Sequence, residues 1–153
     1  MAPLTPFRRV VRSERGAELI EFALVFPLLL MVVLGIVDFG FLFQRLEVVT
    51  NAAREGARMR VLPGYSDTDV TNRVVAYIQS GGLPTTGGNP TVTISDSPIT
   101  YDAGPPAKTI AAKKVVVVYY HNYLFLGPIA SWFGGAFSSV PLTGVSTMRN
   151  EAP

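Results

Sequence analysis

His121 is the only histidine in the 153-residue chain, and cysteine is absent. A thiol nucleophile, a zinc-thiolate site and a disulfide scaffold are therefore excluded, and any histidine-based triad or metal site would have to be built around one imidazole. His121 ends a run of valines and tyrosines (115–120), where it reads as a structural or surface residue. Asp67-Thr68-Asp69 opens like a calcium loop, but Asn72 and Ile78 occupy the places that need Gly and Glu. Gly81-Gly82 and Gly87-Gly88 lack the Gly-Lys-Ser/Thr of a phosphate loop. No catalytic constellation emerges, so the expectation is a protein that is not an enzyme, with no metal and no cofactor. What stands out instead is three carboxylates, Glu18, Glu21 and Asp38, inside or at the edges of a long apolar run.

Those carboxylates need an element to carry them. Residues 22–37 are sixteen in a row without a charge, and after Asp38 the apolar character continues through Phe43. Counted from Ala17 to Phe43, a helix would be about 40 Å long at 1.5 Å per residue, and about 20 apolar residues suffice to cross a bilayer. The composition agrees, with 48% hydrophobic and only 16% charged residues. No small-residue cleavage site of the Ala-x-Ala kind follows the run, so a transmembrane helix over 17–43 is expected, not a removed secretory signal. Pro27 frees the carbonyl of Ala23 and is expected to kink the helix. Glu18 and Asp38 fall where the two headgroup layers would lie and are expected to need no partner. Glu21, one turn deeper than Glu18, is a carboxylate in hydrocarbon, where such groups have either a function or a path back to the headgroups.

The pI of about 9.1 is local in origin. Residues 1–16 hold Arg8, Arg9, Arg12 and Arg15 against Glu14, a net charge of +3, while the remaining residues carry −1. An arginine cluster beside an apolar run is a membrane flank, and no basic face remains for phosphate, so no nucleic-acid partner is expected. Arg45, Arg54, Arg58 and Arg60 follow the run as four arginines precede it, so charge alone leaves the orientation open.

Beyond Phe43 the helical period persists. Leu46, Val49, Ala53, Gly56 and Arg60 share one narrow face, with Arg54, Glu55 and Arg58 off it, and Pro63-Gly64 stops the helix near residue 61. Ser66 with Asp69 resembles a capping box that opens a short second helix over 68–80. Residues 91–95 alternate with period two and read as a strand, 96–108 as a Pro- and Gly-rich loop, 113–120 as a strand buried on both faces, and 140–148 as a closing strand. Residues 115–137 contain no Asp, Glu, Lys or Arg, so a second span there has the length but not the composition; a strand followed by an apolar loop at 123–137 is favoured. The fold class expected is α+β: a leader over 1–16, a transmembrane helix over 17–43, and an exported domain over 44–153. That domain holds the end of helix one, a short helix and about three antiparallel strands.

Residues 15–22, Arg-Gly-Ala-Glu-Leu-Ile-Glu-Phe, resemble the processing site of type IV pilins and pseudopilins. The resemblance implies that a prepilin peptidase cuts between Gly16 and Ala17. Glu21 and Phe22 would then be the fifth and sixth residues of the mature chain, a pair similar to the Flp (Tad) branch. The stretch Asn51-Ala52-Ala53-Arg54-Glu55-Gly56-Ala57-Arg58 extends the likeness to the TadE-like pseudopilins, and Leu142 onward through Arg149-Asn150-Glu151 is similar to that family's C-terminal end. The implied function is that of a minor pilin or pseudopilin of a tight-adherence pilus or related secretion machine. The implied partners are the prepilin peptidase, other pilin subunits, the pilus assembly platform and membrane lipid. The implied location is the bacterial inner membrane, crossed once, with the N-terminus cytoplasmic and the domain outside the cytoplasm. An unprocessed single-pass protein whose exported domain binds an envelope partner or ligand shares this topology and is the alternative.

Overall fold

The computed structural model describes residues 14–88, 90–102, 104, 106, 108–132, 134–135 and 139–150. Most of the leader expected over 1–16 therefore lies outside the described residues, as does Glu151. Helix α1 runs from Glu14 to Arg60, 47 residues, and continues through Pro27 as one element. It ends at a turn whose Gly64 has φ 92°, a left-handed conformation that glycine adopts without steric cost. Helix α2 (Asp67–Ser80) starts at the expected capping box: the Asp69 amide donates to Ser66 Oγ, and the Ser66 amide donates back to Asp69 Oδ2 at 2.9 Å. The two bonds satisfy amides that a helix start leaves without partners. The Ser66 hydroxyl, donating to Asp69 Oδ2 at 2.6 Å, together with the Ser66 amide holds the Asp69 carboxyl below the usual carboxylate range.

The strands are β1 (Thr91–Asp96), β2 (Ile99–Asp102), β3 (Lys108–Ile110), β4 (Ala112–His121) and β5 (Val140–Arg149), with a short helix α3 (Leu126–Trp132) between the last two. Strands β1, β4 and β5 form one antiparallel sheet with β4 in the middle, in register Val92↔Val117 and Val117↔Gly144. This is the α+β architecture expected, with three departures. The expected loop over 96–108 contains the β2–β3 hairpin, an antiparallel pair with a bulge between Thr100 and Asp102. The expected apolar loop at 123–137 contains α3, and β4 ends at His121, so the described residues of 115–137 form no second spanning helix. Strand β4 is not buried on both faces: Val115, Val117, Tyr119 and His121 are buried, while Val116 and Val118 are only half-covered and Tyr120 is exposed.

The core forms where α1 and α2 lie against the buried face of β4. It contains Val49, Ala52, Ala53 and Ala57 of α1, Val70, Val74 and Ile78 of α2, and Val115, Val117 and Tyr119 of β4. The small-residue face of α1 is what permits this approach. A Cβ on Gly56 would come within 2.6 Å of a Val74 methyl, and one on Gly144 of β5 within 2.6 Å of the Val49 carbonyl oxygen. The buried tyrosine hydroxyl is satisfied, since Tyr119 donates to Pro84 O at 3.0 Å.

Candidate functional site on the first helix

The four residues singled out at the processing site lie in the first turns of α1. Ala17 and Glu21 are one turn apart and share a face. Both are exposed, as is Phe22, whose ring stacks on Phe26 with centroids 5.2 Å apart. Among the described residues a Cβ at Gly16 would meet nothing within 4 Å, so none of their packing requires glycine there. Neither Glu18 nor Glu21 has a partner among the described residues. Along this half of the helix the large apolar side chains face outward, with Leu24 74% and Ile36 66% exposed. Among the described residues one helix, Gly16–Arg60, is long and apolar enough to cross a membrane, and none of them covers its most apolar stretch.

Asp38 departs from its expected role. It is fully buried, and its carboxylate accepts hydrogen bonds from the backbone amides of Leu124 (3.0 Å), Phe125 (2.9 Å) and Leu126 (2.7 Å). A headgroup-level carboxylate was expected to need no partner; this one has three. The physical reason is that the chain after β4 must start a helix with no N-cap side chain of its own. Residues 122–125 are Asn-Tyr-Leu-Phe, and the donors that open α3 are satisfied instead by a charge on another element. The folded part of the chain thus reaches back along α1 to Asp38 and, through Leu126, to Gly35, within the stretch expected to be transmembrane.

Two turns further along the same face, Arg45 Nη1 donates to His121 Nδ1 at 2.8 Å. Because a guanidinium can only donate, Nδ1 must be the accepting nitrogen and the ring proton sits on Nε2. His121 is 1% exposed, and its ring meets Tyr123 edge-on at 5.2 Å. Burial lowers the His121 pKa, the Arg45 charge lowers it further, and Asp38 acts in the opposite direction. His121 is therefore a structural, neutral histidine at the base of the sheet, one of the two readings its sequence context allowed.

The Asn51–Arg58 stretch is a packing face. Ala52, Ala53, Gly56 and Ala57 are buried, Arg54 and Arg58 are exposed, and Glu55 pairs with Arg73 of α2 at 2.8 Å. Two open clefts share Arg58 and Leu62 at the far end of α1, one taking in Glu55 and Arg73 and the other Met148 and Arg149. In the first, Glu55 is already engaged by Arg73. The second adds a second arginine and no acid or nucleophile. The sequence singles out Asp38 but not its bonds to residues 124–126, nor the pairing of Arg45 with His121. Yet continuing the Val49 stripe backwards by seven and eleven residues reaches Leu42 and Asp38 on the same face.

A family model described as TadE-like protein matches residues 16–58. The similarity expected for the closing segment from Leu142 lies outside that match. No curated protein and no solved structure matches the chain. Residues 16–58, about a quarter of the chain, are thus similar to the TadE-like family, and they comprise the bare apolar half of α1 and most of the small-residue half that packs into the domain.

Proposed function

We propose that the protein is a minor pilin or pseudopilin that takes part in assembling a tight-adherence pilus or a related secretion machine, and that it is not an enzyme. The observation that carries this reading is the uncovered apolar helix bearing Glu21 in a TadE-like segment, attached to a domain with its own core. Such a helix is shielded either by lipid or by like helices, which is the alternation a pilin subunit undergoes. Prepilin peptidase would cut between Gly16 and Ala17 on the cytoplasmic side of the inner membrane, with the domain on the other side. Cleavage creates an ammonium group on Ala17, one turn from Glu21. In an assembly, the ammonium of a neighbouring subunit and the Glu21 carboxylate would pair in a low-dielectric setting and fix the axial step between subunits. Such a pair contributes little net stability, but removing one partner costs about 3–5 kcal/mol, so Glu21 acts in register more than in strength. The partners of this step are other pilin subunits and the assembly platform.

The test is Glu21→Ala. It should still be cut and still enter the membrane, slightly better than the parent because one costly carboxylate is gone. It should lose inter-subunit crosslinks and reduce the number of pili. A variant that crosslinks and supports pili like the parent would remove the register role.

A further inference from the structure

We infer that segment 124–132, the start of α3 included, is a second membrane contact that lies in the boundary between headgroups and acyl chains beside α1 without crossing the bilayer. The inference rests on the reading of α1 as a span and adds a lipid-facing surface to the domain. Depth is the first argument. Asp38 stands about 30 Å along the helix from Ala17 at 1.5 Å per residue, which is the thickness of a bilayer core. If 17–37 spans, Asp38 marks the outer edge of the hydrocarbon, and its three amide hydrogen bonds pin residues 124–126 at that level. Leu126 is held still closer to the core, with its Cδ2 3.9 Å from where a Cβ on Gly35 would stand.

Composition is the second argument. Residues 115–137 carry no Asp, Glu, Lys or Arg, and Leu124 is 59% exposed at this depth. An apolar side chain aimed into water just above a bilayer has a better place one or two ångströms below, and burying it contributes as any other apolar area does. The third argument is polar satisfaction, which lipid demands and water does not. The amides of Leu124, Phe125 and Leu126 are bonded to Asp38. At the other end, Gly134 and Gly135 donate to Ser131 O (3.2 Å) and Ala130 O (2.9 Å), while Ser131 Oγ donates to Pro128 O at 2.7 Å. A seven-residue helix closed at both ends can rest in an interface, but at about 10 Å it is far too short to span.

Trp132, the only tryptophan in the chain, is the last residue of α3 and supplies a fluorophore within this segment. The full chain is reconstituted in phosphatidylcholine–phosphatidylglycerol vesicles, and flotation checks that it is held by them. Trp132 fluorescence is then read with lipids brominated at shallow or deep acyl positions. The expected result is stronger quenching by the shallow bromines, falling roughly twofold or more in Leu124→Lys, an exposed position whose change leaves the core alone. Unquenched Trp132 in vesicle-bound chain would overturn the lipid contact while sparing the span, and would give the surface to a protein neighbour. Stronger quenching by the deep bromines would overturn the interfacial placement in favour of insertion. A chain that fails to float would overturn the span and this inference with it.

Discussion

The Leu126 amide donates to the Asp38 carboxylate at 2.7 Å, across 88 positions of sequence. With the bonds from Leu124 and Phe125, this one side chain ties the loop after β4 to the apolar helix at the level where the domain begins. A buried carboxylate is costly, and three backbone donors are what make this one tolerable.

Asp38→Ala should therefore destabilise the domain. It leaves three amides without their acceptor, and each orphaned buried group costs about 1–3 kcal/mol. Hydrogen exchange on the detergent-solubilised full chain should show the Leu124, Phe125 and Leu126 amides losing protection while Val117, in the centre of the sheet, keeps its own. Equal loss at Val117 would mean that Asp38 supports the whole fold and not one segment.

Glycine substitutions should separate two kinds of close packing. In Gly144→Ala the new methyl meets the Val49 backbone, with its carbonyl oxygen at 2.6 Å and its carbonyl carbon at 2.9 Å, so helix and sheet must part. In Gly56→Ala the nearest atom is a Val74 methyl, also at 2.6 Å, which can give way by a side-chain adjustment. Overpacking costs about 1–3 kcal/mol and occasionally more. Denaturant unfolding should place Gly56→Ala within that range and Gly144→Ala at or above its upper end. The reverse order would mean that α1 does not rest against β5 as described.

Acidification should weaken the domain through His121. Its folded-state pKa lies below the ordinary 6.5, chiefly because it is buried and secondly because Arg45 faces it. A base whose pKa is depressed by folding contributes stability that is complete above 6.5 and is lost as pH falls below that value, because the unfolded chain then binds the proton more readily. Protonation would also set a second cation against Arg45, with the Asp38 charge acting in the opposite direction. The thermal midpoint should fall between about pH 7.5 and 5.5, and His121→Gln should flatten that dependence. Asp69 and Asp96, held low by Ser66 and Lys113 respectively, weaken the fold only on further acidification and leave this window clear.

Much of this architecture can be read from the chain, for reasons that are local. The apolar run, the Ser66–Asp69 box and the Gly64 turn each carry their signal within a few residues. The Gly56 stripe is similarly plain, because small residues at helical spacing have one obvious use. The β2–β3 hairpin is not legible: its strands are four and three residues long, too short for a period-two pattern to rise above the Pro and Gly between them. Helix α3 is hidden for the opposite reason, since its cap is supplied from Asp38 on α1. Asp38 itself was misread because depth in a bilayer already explained a carboxylate there. Its shared face with Leu42 and Val49 is the better guide; in β4 the buried face is that of Val115, Val117, Tyr119 and His121, an alternation that the unbroken valine run hides.

At the start of α1, no packing among the described residues requires Gly16, since a Cβ there would meet none of them within 4 Å. Gly16→Glu should leave the helix in the membrane but block maturation, and Glu21→Ala should mature normally. The two variants thus divide processing from assembly. A Gly16→Glu chain that is shortened like the parent would show that the cut does not depend on this glycine.

The central claim is that the TadE-like segment is the working end of a processed pilin subunit. Its most direct test is the intact mass, with N-terminal sequence, of the membrane-bound protein from cells that carry the prepilin peptidase. The account predicts a chain that begins at Ala17, with Glu21 as its fifth residue. A chain that keeps residues 1–16 in those cells would contradict it and would favour an unprocessed single-pass protein instead.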